Sequence, residues 1–303
     1  MKQRRFSEGA LHHVYFITRD GGVLFYRISD RLSFYTTISV LATRYKVDII
    51  GVSIMFTHVH LMVRAVDLAQ FRLFMNQLLR TFSKLINEDR GSRGPVFKTP
   101  FGSAPQTTDK RQRSSMIYLF NNPVEKRLCT KAVEDRWTFL AYYDDPHPFS
   151  SPLVKRYASH AMRDACQLID AEARAGRYLR PVLLRTLFRK LSREEQEQLT
   201  DYVILQYRFI NYEAAIALFG GYDRMLRTTE ETSGQEFDIG EEFDPNSDVP
   251  FREMIRVAAR GDLFEGWALL HLDEQAQKKW IRRFRAETSA RTQHIQKFLH
   301  LEK

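Results

Sequence analysis

The sequence predicts an α+β fold, an antiparallel sheet with helices on one face, followed by an all-α C-terminal region. Short β-rich runs alternate with helical periodicities through the first half of the chain. A Pro-rich segment, Asp144-Asp145-Pro146-His147-Pro148-Phe149-Ser150-Ser151-Pro152, interrupts that pattern, and beyond it apolar residues recur at helical spacing. With 303 residues, 44% hydrophobic and 13% aromatic, the chain can bury a large core and has the length at which chains usually divide. Two parts are therefore expected, 1–150 and 151–303.

Residues 11–18 (LHHVYFIT) form the first β-rich run, closed by the turn signal Asp20-Gly21-Gly22. Ser29 offers an N-cap, and Leu32, Tyr35, Ile38, Leu41, Ala42 and Tyr45 follow at helical spacing. Runs at 47–55 and 60–66, separated by a few residues around Phe56-Thr57, read as a hairpin. Asp67 caps a helix whose stripe of Phe71, Phe74, Met75, Leu78, Leu79, Phe82, Leu85 and Ile86 stops at Gly91. The Gly- and Pro-rich stretch 94–103 suits an edge strand, and a helix over 110–121 should end near Pro123, since proline disfavours helical geometry in the residue before it. Strand, helix, hairpin, helix, strand, helix is the order of an α+β sandwich of ferredoxin-like type. After the Pro-rich boundary, 158–175, 181–188, 194–207 and 212–219 have helical spacing, and the acidic stretch 229–248 reads as a loop or linker.

The formal charge of +9 favours polyanionic partners. Its distribution is uneven: residues 80–113 carry eight Lys or Arg against three acids, 278–303 carry eight against two, and 229–248 carry eight acids with no Lys or Arg. Solvated charged faces are the plain alternative for such runs. Two cysteines, Cys129 and Cys166, lack metal-site spacing, and no apolar run reaches the roughly 18 residues needed to span a bilayer, so a cytoplasmic location is expected.

His58-Val59-His60 places two imidazoles two residues apart in strand-forming sequence. Side chains at i and i+2 of a strand share a face, about 7 Å apart, so both can converge on one cation. Alone, the pair is equally open to being two surface histidines around a valine. A second pair lies in Met116-Ile117-Tyr118-Leu119-Phe120-Asn121-Asn122-Pro123-Val124. Tyr118 and Asn122, four apart, share a helix face. A phenol beside an amide whose carbonyl can ligate a metal suits covalent phosphoryl transfer; a core tyrosine and a C-cap asparagine are the other possibility.

Together these motifs resemble those of the single-tyrosine HUH endonucleases, and among them the REP-associated tyrosine transposases. That group carries His-hydrophobic-His at the start of a strand, then Gly-Pro-Val-Phe, then Tyr followed four residues on by Asn-Pro-Val. Here they stand as Met55-Phe56-Thr57-His58-Val59-His60-Leu61, Gly94-Pro95-Val96-Phe97 and Tyr118-Leu119-Phe120-Asn121-Asn122-Pro123-Val124, within residues 10–145. Phe56 and Thr57 depart from the group's usual Pro-Asn.

The resemblance implies a metal-dependent single-stranded DNA endonuclease and strand transferase acting at palindromic hairpins. His58, His60 and Asn122 would hold Mg²⁺ or Mn²⁺, and Tyr118 would attack the scissile phosphate to form a 5′-phosphotyrosine. A non-cutting DNA-binding or regulatory protein on the same fold is the alternative. DNA contacts are expected from Arg80, Lys84, Arg90, Arg93, Lys98, Lys110, Arg111 and Arg113. At the C-terminus, 276–301 reads as a helix-turn-helix whose second helix would present Arg291 and Gln293, or as a basic hairpin that only caps the domain. Relatives work as monomers or as dimers, and both states stay open here.

Overall fold

The protein is described as a computed structural model that covers residues 6–232 and 246–301. Strand β1 (Leu11–Ile17) leads to helix α1 (Ile28–Tyr45), the hairpin of β2 (Asp48–Ile54) and β3 (His58–Arg64), helix α2 (Leu68–Arg90) and strand β4 (Gly102–Gln106). The four strands are antiparallel in the order β2-β3-β1-β4, the ferredoxin-like arrangement. Period-two alternation sorts the side chains. Val14, Phe16, Val59, Leu61 and Val63 face one layer, where they pack with Leu32, Tyr35 and Ile38 of α1 and Phe74, Met75, Leu78 and Phe82 of α2. Helix α2 is bounded as its sequence dictates: the Asp67 carboxylate accepts from the Gln70 amide, and Gly91 closes the helix at φ +64°.

The strand expected over 94–103 lies later. Residues 94–101 form a loop that meets the end of β1 through an isolated Thr18–Phe97 bridge, with Lys98 N–H bonded to the Ile17 carbonyl at 2.9 Å, and the pairing strand is Gly-Ser-Ala-Pro-Gln. None of those residues is a strong strand former. Pairing with β1 imposes the conformation, and Pro105 is tolerated because this is an edge.

Helix α3 (Asp109–Glu125) covers the other sheet face, so the sheet is covered on both sides. Its close approach depends on Gly51, where a Cβ would lie 3.2 Å from the Met116 methyl carbon. The helix does not stop before Pro123 but continues one turn through it. Proline cannot donate its own bond, but Lys126 N–H reaches the Asn122 carbonyl and Leu128 N–H reaches that of Pro123. Burial of Phe120, Asn121, Asn122 and Pro123 outweighs the local bias against helix before proline.

Helices α4 (His160–Arg174), α5 (Pro181–Phe188) and α6 (Arg193–Gln206) add to the core formed by α1 and α2, while α7 (Tyr212–Ala217) and α8 (Tyr222–Glu231) pack outside α3. The acidic stretch begins inside α8 and ends at Asp248, the N-cap of α9 (Val249–Arg260); its centre, 233–245, lies outside the described residues. Helices α10 (Glu274–Glu287) and α11 (Thr292–Leu299) form the expected helical pair. With α9 they enclose a further core of Phe251, Met254, Phe284, Ile295 and Phe298, which also takes in Val23, Tyr26 and Phe56. No helix among the described residues is long and apolar enough to cross a membrane.

Gly102 sits opposite Tyr15, and a Cβ there would fall 2.0 Å from the tyrosine ring. Gly102→Ala should lower the unfolding free energy by about 1–3 kcal/mol in urea titrations, as overpacking does. Adding Tyr15→Ala should recover most of that loss; strictly additive losses would show that the ring does not depend on the glycine.

Candidate active site

The antiparallel register sets Tyr15 opposite His60 and His13 opposite Met62, so His13, Tyr15, His58 and His60 all emerge on the face that α3 covers. His60 is fully enclosed and His13 nearly so, at 0% and 1% exposure, whereas His58 at the strand end is half-buried. The ring centres of His58 and His60 are 5.1 Å apart and perpendicular. His13 Nε2 and His60 Nδ1 are hydrogen-bonded at 3.1 Å. Burial pulls the His60 pKa down to about 3, which keeps the imidazole neutral at physiological pH. In the tautomer that donates Nδ1–H to His13, Nε2 is the basic nitrogen, the form in which histidine ligates metals.

Helix α3 brings Tyr118 to the same face. Its ring stands edge-on to His60 at 5.5 Å and to His13 at 5.9 Å. One turn on, Asn122 is 3% exposed and donates through Nδ2 to the Tyr118 carbonyl at 3.2 Å, leaving Oδ1 as its acceptor end. Its neighbour Asn121 serves packing instead, donating to the Thr229 carbonyl at 2.7 Å. Two imidazoles, one held neutral by burial, and an amide oxygen form a donor set that fits a divalent cation. No group of three or more His, Cys, Asp or Glu is placed for a metal among the described residues.

The turn residues have work of their own. Phe56 and Thr57 close the hairpin, with Met55 N–H bonded to the His58 carbonyl at 2.9 Å, and neither has a positive φ. Thr57 Oγ1 lies 3.0 Å from His58 Nδ1 and orients that ring, while the Phe56 side chain points into the C-terminal core.

The expected DNA-binding cations are dispersed. Arg80, Lys84 and Arg93 rim a groove of about 530 Å³ floored by Leu79, Pro95 and Phe97, with Lys98 exposed on the neighbouring loop. Lys110 and Arg111 are exposed at the start of α3. Arg111 lies seven residues before Tyr118, on the same helix face and about 10 Å along it. Arg113 is half-buried and donates to the Leu218 carbonyl at 3.3 Å. Arg90, counted above with the phosphate-binding cations, is 5% exposed, donates to the Leu24 carbonyl at 2.6 Å, pairs with Asp30 at 3.6 Å and lies over Trp267. Its charge is spent inside the protein. Arg291 and Gln293 are exposed at the start of α11.

His13 and Tyr15 were not among the residues singled out from the sequence. The signal was present: in a βαββαβ order β1 pairs with β3, and alternate residues of Leu11-His12-His13-Val14-Tyr15 must then share the face of the histidine pair.

The His60 shift fixes a pH dependence. A histidine whose folded pKa lies below its unfolded value contributes stability that is full above the unfolded pKa of about 6.5 and declines as pH falls toward the folded one. Stability of the metal-free protein should therefore fall by up to about 1.4 kcal/mol per pH unit below about pH 6.5 through this residue. His60→Gln should flatten that slope in urea titrations at stepped pH, and an unchanged slope would mean that His60 is not held neutral.

No protein-family model matches the chain, and no curated protein matches it. A solved structure, a REP-associated tyrosine transposase bound to a REP hairpin, shows a distant likeness over 45% of this chain and 80% of its own, with 13% sequence identity and a TM-score of 0.37.

Proposed function

We propose that the protein is a metal-dependent, tyrosine-dependent single-stranded DNA endonuclease and strand transferase acting at hairpin-forming sequences. The observation that carries this reading is the Tyr118 ring set edge-on to His60 and His13, on the sheet face that also bears His58. A phenol against two buried imidazoles, that of His60 held neutral, suits nucleophilic attack better than core packing does.

His58, His60 and Asn122 Oδ1 would hold the cation, with Mn²⁺ better matched than Mg²⁺ to two nitrogen donors. When bound, it supplies Lewis-acid stabilisation of the phosphoryl oxygens and the leaving 3′ oxygen. The residues of the chain do the rest. Tyr118 Oη loses its proton as it bonds to phosphorus, the P–O3′ bond breaks, and the 3′ oxygen takes up a proton, giving a 5′-phosphotyrosine and a free 3′-OH. The ester retains the bond energy, so another 3′-OH can reverse the step and join strands. His13 fixes the His60 ring from behind. Arg111 and Lys110 extend the site along α3 toward the phosphates of the bound strand, while Arg80, Lys84, Arg93 and Lys98 form a separate basic area for flanking DNA.

Incubation with a labelled hairpin substrate bearing a single-stranded flank, in Mn²⁺, should give an SDS-resistant adduct that Tyr118→Phe abolishes. Absence of any adduct across hairpin substrates, with binding intact, would leave a DNA-binding protein that does not cut. Lys110→Ala and Arg111→Ala should each weaken binding irrespective of sequence and reduce the salt dependence by about one phosphate contact. Arg90→Ala should instead lower the thermal midpoint by several degrees, since it strands the buried Asp30 carboxylate.

A further inference from the structure

Arg31, in the first turn of α1, is only 8% exposed. Its Nε is buried without a hydrogen-bond partner among the described residues. Two aromatic rings hold the guanidinium instead, Phe56 at 4.5 Å and Trp137 at 5.2 Å from its central carbon. Burial lowers its pKa to about 10, which leaves it charged at neutral pH. The carboxylates around it, Asp135 first, act on the charge without bonding to Nε, so the guanidinium keeps a donor for a ligand in the adjoining space.

A cavity of about 320 Å³ opens beside it, lined by Arg31, Ile54, Phe56, Asp135, Trp137 and Arg252 among others. Asp135 has one oxygen engaged with the Trp137 amide at 2.8 Å, and burial raises its pKa. Arg252 enters from α9 and donates to the Leu128 carbonyl at 2.6 Å. Arg31 and Arg252 both act on Asp135, so a phosphate entering here would meet a carboxylate in the same lining. The lining suits a flat, uncharged group with acceptors on one edge, donors on another and faces that stack on aromatic rings. Among the nucleobases, guanine has that pattern: O6 and N7 accept from an arginine fork, while N1–H and the N2 amino group donate to a carboxylate.

We propose that this cavity is a pocket for one unpaired guanine of the bound DNA strand, with Arg31 on its O6/N7 edge, Asp135 on its N1/N2 edge and Phe56 and Trp137 along its faces. Phe56 belongs to the same hairpin turn as His58, two residues away. The pocket rests on the single-strand reading above and adds to it the base that the protein selects. Because Arg252 belongs to α9, the C-terminal region completes the pocket.

The test uses full-length Tyr118→Phe protein without divalent ions, so that binding is read apart from cutting. Fluorescence anisotropy would compare oligothymidine strands carrying one central G, A or C. The G strand should bind about tenfold more tightly than the A and C strands. Arg31→Met should abolish that preference while leaving all-T binding within about twofold. Arg31→Lys, which keeps the charge and loses the fork, should lose the preference too and covers the case in which the methionine variant fails to fold. Equal affinity for G, A and C strands, or a G preference intact in either variant, overturns the pocket. So does an Arg31-dependent rise of the midpoint in sulfate or phosphate, which would make it an anion site. A wild type that forms the Tyr118 adduct without G preference removes the pocket and keeps the nickase, whereas G preference without an adduct does the reverse.

Discussion

Pairing of β1 with β3 is the constraint on which the rest of the structure depends. The register that sets Tyr15 against His60 decides that four ring-bearing side chains share one face and that Val14, Phe16, Val59, Leu61 and Val63 share the other. A slip of one residue would exchange the two sets, burying imidazoles under α1 and α2 and presenting valines to α3. The core face and the candidate active site are therefore specified together. Hydrophobic burial on one side holds the strands in the only register that brings His13 to His60 on the other.

On this frame the C-terminal region behaves as part of the same folded body. Tyr26, in the loop after β1, donates to the Phe298 carbonyl at 2.6 Å, and Val23 N–H reaches the Lys297 carbonyl at 2.9 Å. Beneath, Trp267 stacks with Arg27 and Arg90 and donates to Asp89 at 2.9 Å. Buried charges of this kind add little net stability, but removing one partner leaves the other exposed to the full desolvation cost. They fix where the region docks rather than how strongly.

Much of this was legible from residue patterns. The first strand, both sandwich helices and the hairpin follow from periodicity and from the caps at Asp67 and Gly91, and the proximity of Tyr118 to the histidines agrees with motif order. Strand β4 was misplaced because Gly-Ser-Ala-Pro-Gln has no intrinsic strand preference and pairs only because β1 offers an edge. The turn of α3 beyond Pro123 was missed because tertiary burial overrides a local bias. Arg90 sits within a basic run like any surface cation; only the fold shows Asp30 and Trp267 waiting for it. Helices α8 and α9 flank an acidic stretch whose composition reads as loop and masks both boundaries.

The turn between β2 and β3 has two owners. Its backbone belongs to the hairpin that carries His58, and its Phe56 side chain belongs to the core of the C-terminal helices, where it meets Phe251 at 5.8 Å. Its carbonyl also receives the amides of Leu24 and Phe25 from the loop that α11 holds down. Any rearrangement of α9 or α11 must therefore be absorbed at residue 56, within two peptide units of an imidazole in the candidate site. The helices that stand farthest along the chain are mechanically next to the candidate site, and residues 1–150 cannot be parted from 151–303 without dismantling a turn that both share.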